Sequence, residues 1–151
     1  MTYRFVCETH VHAPADVLFD ASLDVDLHTT TMGSSRETAV GGVTSGRLGP
    51  GDTVTWRARH LGIWWRMTSR IEAYDRPSRF VDVQAAGPFR EWRHQHTFEP
   101  HPAGGTLMRD DVIFTAPFGV LGGIVERLIL GRYMRRLIER RSFALKMLVE
   151  G

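Results

Sequence analysis

The chain has 151 residues, 42% hydrophobic and 24% charged, which suits one compact domain over residues 1–151 with a real core. A net charge of +2 with histidine neutral is too mild to argue for nucleic-acid binding, and no RNP, helix-turn-helix or zinc-finger pattern supports it. One cysteine, Cys7, excludes an internal disulfide and a Cys-based zinc cluster; the absence of a long apolar run or secretory pattern points to a cytoplasmic protein without stable membrane insertion.

TYRFVCETHVHA alternates, with Tyr3, Phe5, Cys7, Thr9 and Val11 on its more apolar face, and predicts a first strand. His10 and His12 fall on the other face and read as exposed. In APADVLFDASLDVDLHTTTMG, Pro14 suits a first helical turn and Val17, Leu18 and Ala21 have helical spacing. A second short helix follows near Leu23 to Thr31. AVGGVTSGRLGPG predicts a short strand and a turn at Gly49-Pro50-Gly51. Five alternating runs come next, separated by HLG, DRPS, AAGP and EPHPAGG, each a turn signal at hairpin spacing. The last segment, from Phe118, reads as one helix of about 30 residues. Its apolar stripe is Leu121, Ile124, Val125, Leu128, Ile138, Leu145 and Leu148. The order predicts an α+β fold: a curved antiparallel sheet, two short helices after its first strand, and a long C-terminal helix laid across it.

Closing each separator as the shortest sensible hairpin sets a register. His60 then lies opposite Ile63, Ala73 opposite Phe80, Asp82 near Trp92, Phe98 near Thr106, and His94 opposite Asp110 with His96 opposite Met108. One face collects most of the arginines, together with Trp64, and must be the solvent side. The other carries three tryptophans among His60, Ser69, Asp82, Gln84, His94, His96 and Asp110. A purely structural core has little use for so many polar groups, whereas a cavity with polar anchors does. The candidate ligand contacts are therefore Trp56, His60, Trp65, Met67, Ser69, Asp82, Gln84, Trp92, His96 and Met108 from the sheet, with Leu128 from the helix.

VHAPADVLFD at 11–20, FVDVQAAGPFREWRHQHTFEP at 80–100, and GGTLMRDDVIFTAPFG at 104–119 followed by the long helix resemble the START-like helix-grip superfamily (SRPBCC, Bet v 1-like). The likeness is to its polyketide cyclase/dehydrase and lipid-transport branch, over essentially the whole chain. The resemblance implies an apolar cavity between sheet and C-terminal helix, taking a lipid-like or polyketide-like molecule. Carriers and sensors share that fold with enzymes of ring closure or dehydration, so it does not choose among them.

Three readings stay open. In the first, the protein is a carrier or sensor for a hydrophobic small molecule. In the second, His94 and Asp110 form the acid–base pair of a cyclase/dehydrase, since a carboxylate beside an imidazole fixes its tautomer and raises its pKa. In the third, the basic run RYMRRLIERR at 132–141 serves an acidic protein partner or anionic lipid; the alternative for that run is a solvated helix face with Glu126 and Glu139 as its counter-charges. No cofactor and no metal are expected: two histidines at His94-Gln95-His96 need further ligands, and Asp110 and His60 are the candidates. The carboxylates Asp82 and Asp110 could equally form salt bridges, an arginine of the final helix being one partner. A homodimer is compatible with all three readings.

Overall fold

The computed structural model describes residues 2–116 and 129–151. Seven strands form one antiparallel sheet: β1 (Thr2–Val11), β2 (Thr38–Gly42), β3 (Thr53–His60), β4 (Ile63–Asp75), β5 (Arg79–Ala86), β6 (Glu91–Pro100) and β7 (Thr106–Thr115). They lie in the order β1-β7-β6-β5-β4-β3-β2, so β1 crosses to pair with β7 and the remainder is a meander of hairpins. Two short helices, α1 (Ala15–Ser22) and α2 (Val25–Thr31), follow β1, and α3 (Gly131–Glu150) closes the chain. This is the helix-grip α+β architecture that the sequence predicts.

Local chemistry sets the helix ends. Pro14, extended at φ −62°, precedes α1, and the Asp24 side chain accepts from the Leu27 N–H at 3.0 Å to cap α2. Asp20 on α1 then takes both guanidinium nitrogens of Arg76, at 2.9 and 2.8 Å, tying the helix to the β4–β5 turn. Val17, assigned above to the helix's apolar spacing, is exposed instead; Leu18 and Phe19 are the buried pair.

Strand alternation sorts the two sheet faces as expected. Val54, Trp56 and Ala58 on β3, Trp92, His94, His96 and Phe98 on β6, and Met108, Asp110, Val112 and Phe114 on β7 all point inward and are buried. The arginine-rich face is outside. Trp64 sits there under the Arg57 guanidinium, 3.9 Å from the ring centroid, a cation–π contact that accounts for an exposed tryptophan. His12 is exposed as predicted; His10 is half-buried, stacked on His101 and donating to the Gly104 carbonyl at 2.7 Å.

The register needs three corrections. His60 does pair with Ile63. On β4–β5, Ser69 faces Gln84 and Ile71 faces Asp82, but a bulge between Ile71 and Ala73 then puts Tyr74, not Ala73, opposite Phe80. Asp82 pairs with His94 rather than Trp92. Phe98 pairs with Met108 rather than Thr106, which places His96, not His94, opposite Asp110. The last two slips are of two residues each. On β6–β7 the first strand runs on to Pro100 before the turn, while on β5–β6 the ladder stops at Val83–Arg93; a two-residue slip keeps every side chain on its face.

The described terminal helix runs over 20 residues. Its buried side is Met134, Leu137, Ile138, Arg141, Ser142 and Leu145, while Leu148 is exposed. Leu121, Ile124, Val125, Glu126 and Leu128, and with them the Gly-rich start of the predicted helix, lie outside the described residues.

Candidate functional site

The concave face carries two apolar clusters with a polar belt between them. The first cluster includes Phe19, Val54, Trp56, Ile71, Phe80, Phe98, Met108 and Leu145, and its margin is mostly small: Ala13, Ala15, Ala21, Ala39, Val43, with Tyr74 and Val149. The second holds Phe5, Trp92, Val112, Phe114, Met134, Leu137 and Ile138. Its margin consists of large side chains that stay half-buried: Tyr3, Met67, Phe89, Leu130 and Tyr133. The first is closed over by α1, whose Phe19 meets Tyr74, Phe80 and Phe98 edge-on. Among the described residues the margins of both clusters stay half-buried, and the second's is built of the larger side chains.

Four sheet residues and two helix residues build the belt. Asp110 has no exposed surface. Its Oδ1 accepts from His94 Nε2 at 2.8 Å and Arg141 Nη1 at 3.1 Å, and its Oδ2 accepts from the Ser142 hydroxyl at 2.8 Å. Asp82 Oδ2 accepts from His96 Nε2 at 2.7 Å. The two imidazoles stack at 3.7 Å between centroids, and Phe80 covers the other face of His96 at 4.0 Å. His94 and Asp110 therefore meet as the sequence suggests, but diagonally, since Val112 is the residue opposite His94.

The electrostatics follow from this packing. Burial alone would raise the Asp110 pKa; the Arg141 charge, the His94 hydrogen bond and the histidine charges outweigh it and hold the carboxyl well below the usual range. Asp82 is depressed in the same way: burial opposes, and the His96 hydrogen bond leads the groups that win. His96 goes the other way: burial and the neighbouring His94 push it down to about 4, against the pull of Asp82. Its Nε2–H is given to Asp82, so its Nδ1 is bare, sealed from solvent and without a hydrogen bond, 3.4 Å from Asp110 Oδ1.

The remaining candidates sort by position. Trp56 packs in the first cluster, its ring stacked on His28 at 4.2 Å, and His28 is held by Glu37 at 2.7 Å. Met108 is fully buried there too. Met67 and Trp92 belong to the second cluster, and Ser69 lies near the belt on β4. Gln84 spends its amide on the backbone of Phe89, donating to the carbonyl at 2.7 Å and accepting from the N–H at 3.1 Å, which pins the β5–β6 loop. Trp65 donates to the His60 carbonyl at 3.2 Å, and His60 Nδ1 meets the Tyr133 hydroxyl at 2.7 Å. His60 is thus at the rim and does not join the paired histidines. Leu128 lies outside the described residues. Two open surface grooves, of about 550 and 640 Å³, flank β1 at Pro14–Gly104 and at Cys7–Glu139, and no candidate ligand residue lines either.

Asp82, His94 and His96 bring one ligand-type atom each within 4.8 Å of one another. The rings are only 20° from parallel, so their in-plane lone pairs run side by side instead of converging as a tetrahedral ion requires. Sequence reasoning missed Phe89, Tyr133 and Ser142, and it gave the arginine of the final helix that pairs with Asp110 without its position, which is Arg141. For the last two a signal existed: stepping from Ile138 to Leu145 by helical spacing passes through both, on the buried stripe.

Among the described residues, no helix is long and apolar enough to cross a membrane. The family model for polyketide cyclase / dehydrase and lipid transport matches residues 3–150. No curated protein matches the sequence. The fold is similar to that of TTHA0849 from Thermus thermophilus, with 18% identity, 97% of each chain covered and a TM-score of 0.80. It is also similar to the Zhui aromatase/cyclase of a Streptomyces species, with 15% identity, 99% of this chain and 94% of that one covered, and a TM-score of 0.79. A third likeness is to a major latex-like protein of Panax ginseng, with 11% identity, coverage of 98% and 97%, and a TM-score of 0.71.

Proposed function

Because the chain belongs to the polyketide cyclase / dehydrase and lipid transport family, we propose that it binds a hydrophobic small molecule, lipid-like or polyketide-like, between sheet and helix. It does so as a carrier or sensor, with residues 1–151 acting as one domain. The observation that carries this reading is the asymmetry of the concave face. One apolar cluster is edged mostly by small residues, while the other is edged by the large half-buried Met67, Phe89, Leu130 and Tyr133. Large apolar side chains at a half-buried rim offer contact area that a ligand can cover. Trp65, Met67 and Trp92 would hold the apolar body, and Ser69, Asp82 and His96 would meet its inner end. Native mass spectrometry of gently purified protein, repeated after denaturation, tests this. An organic mass lost on denaturation supports it, and a neutral dye such as Nile red that fails to bind contradicts it.

A second reading, proton transfer by His94 with Asp110, draws on their 2.8 Å hydrogen bond. Three donors already fill Asp110, and His94 is 5% exposed, so the pair is better built to orient than to exchange protons. In the enzyme reading, His94→Ala loses turnover of an added polyketide-like substrate and keeps dye binding. In the carrier reading, the recovered ligand has the mass that was added.

A further inference from the structure

The belt has a closed end and an open one. At Asp110 both carboxylate oxygens are occupied by the protein. At Asp82 only Oδ2 is occupied; Oδ1 has no hydrogen-bond partner among the described residues, and it is not sealed from solvent. The side chain is ringed by protein yet keeps 18% of its surface open, as a group on the wall of an internal space does. Ser69, diagonal to it across the β4–β5 pairing, has a hydroxyl that is likewise unpaired among the described residues and unsealed. Among the described residues, His94 Nδ1 and the Nε and Nη2 of Arg141 are the other belt atoms with neither a hydrogen bond nor a seal from solvent, and of these groups only Asp82 offers a free anionic acceptor.

We propose that Asp82 Oδ1, with the Ser69 hydroxyl beside it, anchors the inner end of the ligand, and that the ligand class is a neutral ring or chain compound bearing a hydroxyl donor there. This rests on the reading that the concave face binds an apolar molecule. An ionised carboxylate only accepts, so its complement is a donor. A ligand carboxylate or phosphate at this place would set anion against anion at Asp82, and among the described residues the buried Arg141 guanidinium is paired with Asp110 through its Nη1. An ammonium would bring a full charge to a largely apolar face, at a desolvation cost that a neutral donor avoids. A phenol, enol or alcohol fits: it gives a charge-assisted hydrogen bond and brings no charge. Gln84 does not compete for it, because its amide is spent on Phe89. His96 holds the orientation of Asp82 through Oδ2 and leaves Oδ1 unpaired.

The test is displacement of Nile red at neutral pH by three matched probes: 1-naphthol, 1-methoxynaphthalene and 1-naphthoic acid. The expected result is that the phenol displaces the dye at about tenfold lower concentration than its methyl ether, with the acid weakest. In Asp82→Asn the phenol's advantage shrinks to about twofold while the ether's own affinity holds; an unfolding midpoint confirms that the variant is folded. The wild-type comparison of phenol with ether does not depend on any variant folding. Wild-type protein that binds Nile red but treats phenol and ether alike, or prefers the acid, overturns this inference and leaves the binding reading standing. Wild-type protein that does not take up the dye overturns both.

Discussion

The two apolar clusters of the concave face are built from similar residues and finished differently. At the α1 end, Phe19 plugs an aromatic layer of Tyr74, Phe80 and Phe98, and alanines close the margin. At the other end, Phe114, Trp92 and Phe89 form an equally aromatic layer, but the side chains at its rim stay half in solvent. The difference teaches that hydrophobic content does not separate a core from a binding wall. What separates them here is the margin: small side chains edge the cluster under α1, and large half-buried ones edge the cluster under α3.

The largest effect is expected in the belt. Arg141→Met leaves Asp110 as a buried, uncompensated charge and should cost about 3–5 kcal/mol in urea denaturation. If the loss is under about 1 kcal/mol, the belt does not partition the core. Next comes the contrast between clusters. Phe19→Ala should cost about 3–5 kcal/mol and leave Nile red affinity unchanged, while Met67→Ala should cost about 1 kcal/mol or less and weaken the dye severalfold. Equal behaviour of the two variants would erase the distinction.

Acid should break the belt before the clusters. The His96 pKa is lowered in the folded protein from 6.5 to about 4, so the unfolded chain takes up a proton that the folded one refuses. Stability is then full above pH 6.5 and falls as pH drops towards 4, by on the order of 3 kcal/mol. Below that range Asp110 continues the loss, because its depressed pKa makes the unfolded chain protonate first. Chemical denaturation across pH 4 to 7 checks this, and His96→Phe should flatten the slope. The smallest effect is at the rim: Gln84→Ala frees the Phe89 backbone, costs about 1 kcal/mol, and shows as faster dye release in stopped-flow measurements.

Much of this was legible in the sequence. Alternation gives the inward faces of β3, β6 and β7, because a period of two survives slips of two residues; His94 and His96 lie inside although both hairpins are shifted from the expected register. The bulge after Ile71 was not legible, since nothing in IEAYD marks an inserted residue. The helix was read through its flanking leucines as a basic run with an apolar stripe, which hid Arg141 and Ser142 in plain view. An arginine is buried only when a carboxylate waits for it, and Asp110 lies 31 positions away in sequence, so that pairing needs the fold. Which cluster α1 covers depends on where that helix lands, and no local pattern states it.

The most direct test is a methyl-detected NMR titration with 1-methoxynaphthalene, following Met67 and Met134 at the cluster under α3 and Met108 at the one under α1. The account predicts that the Met67 and Met134 methyls shift with a saturable dependence on ligand while Met108 stays in place. A Met108 shift with Met67 silent would put the ligand in the cluster under α1 and contradict it.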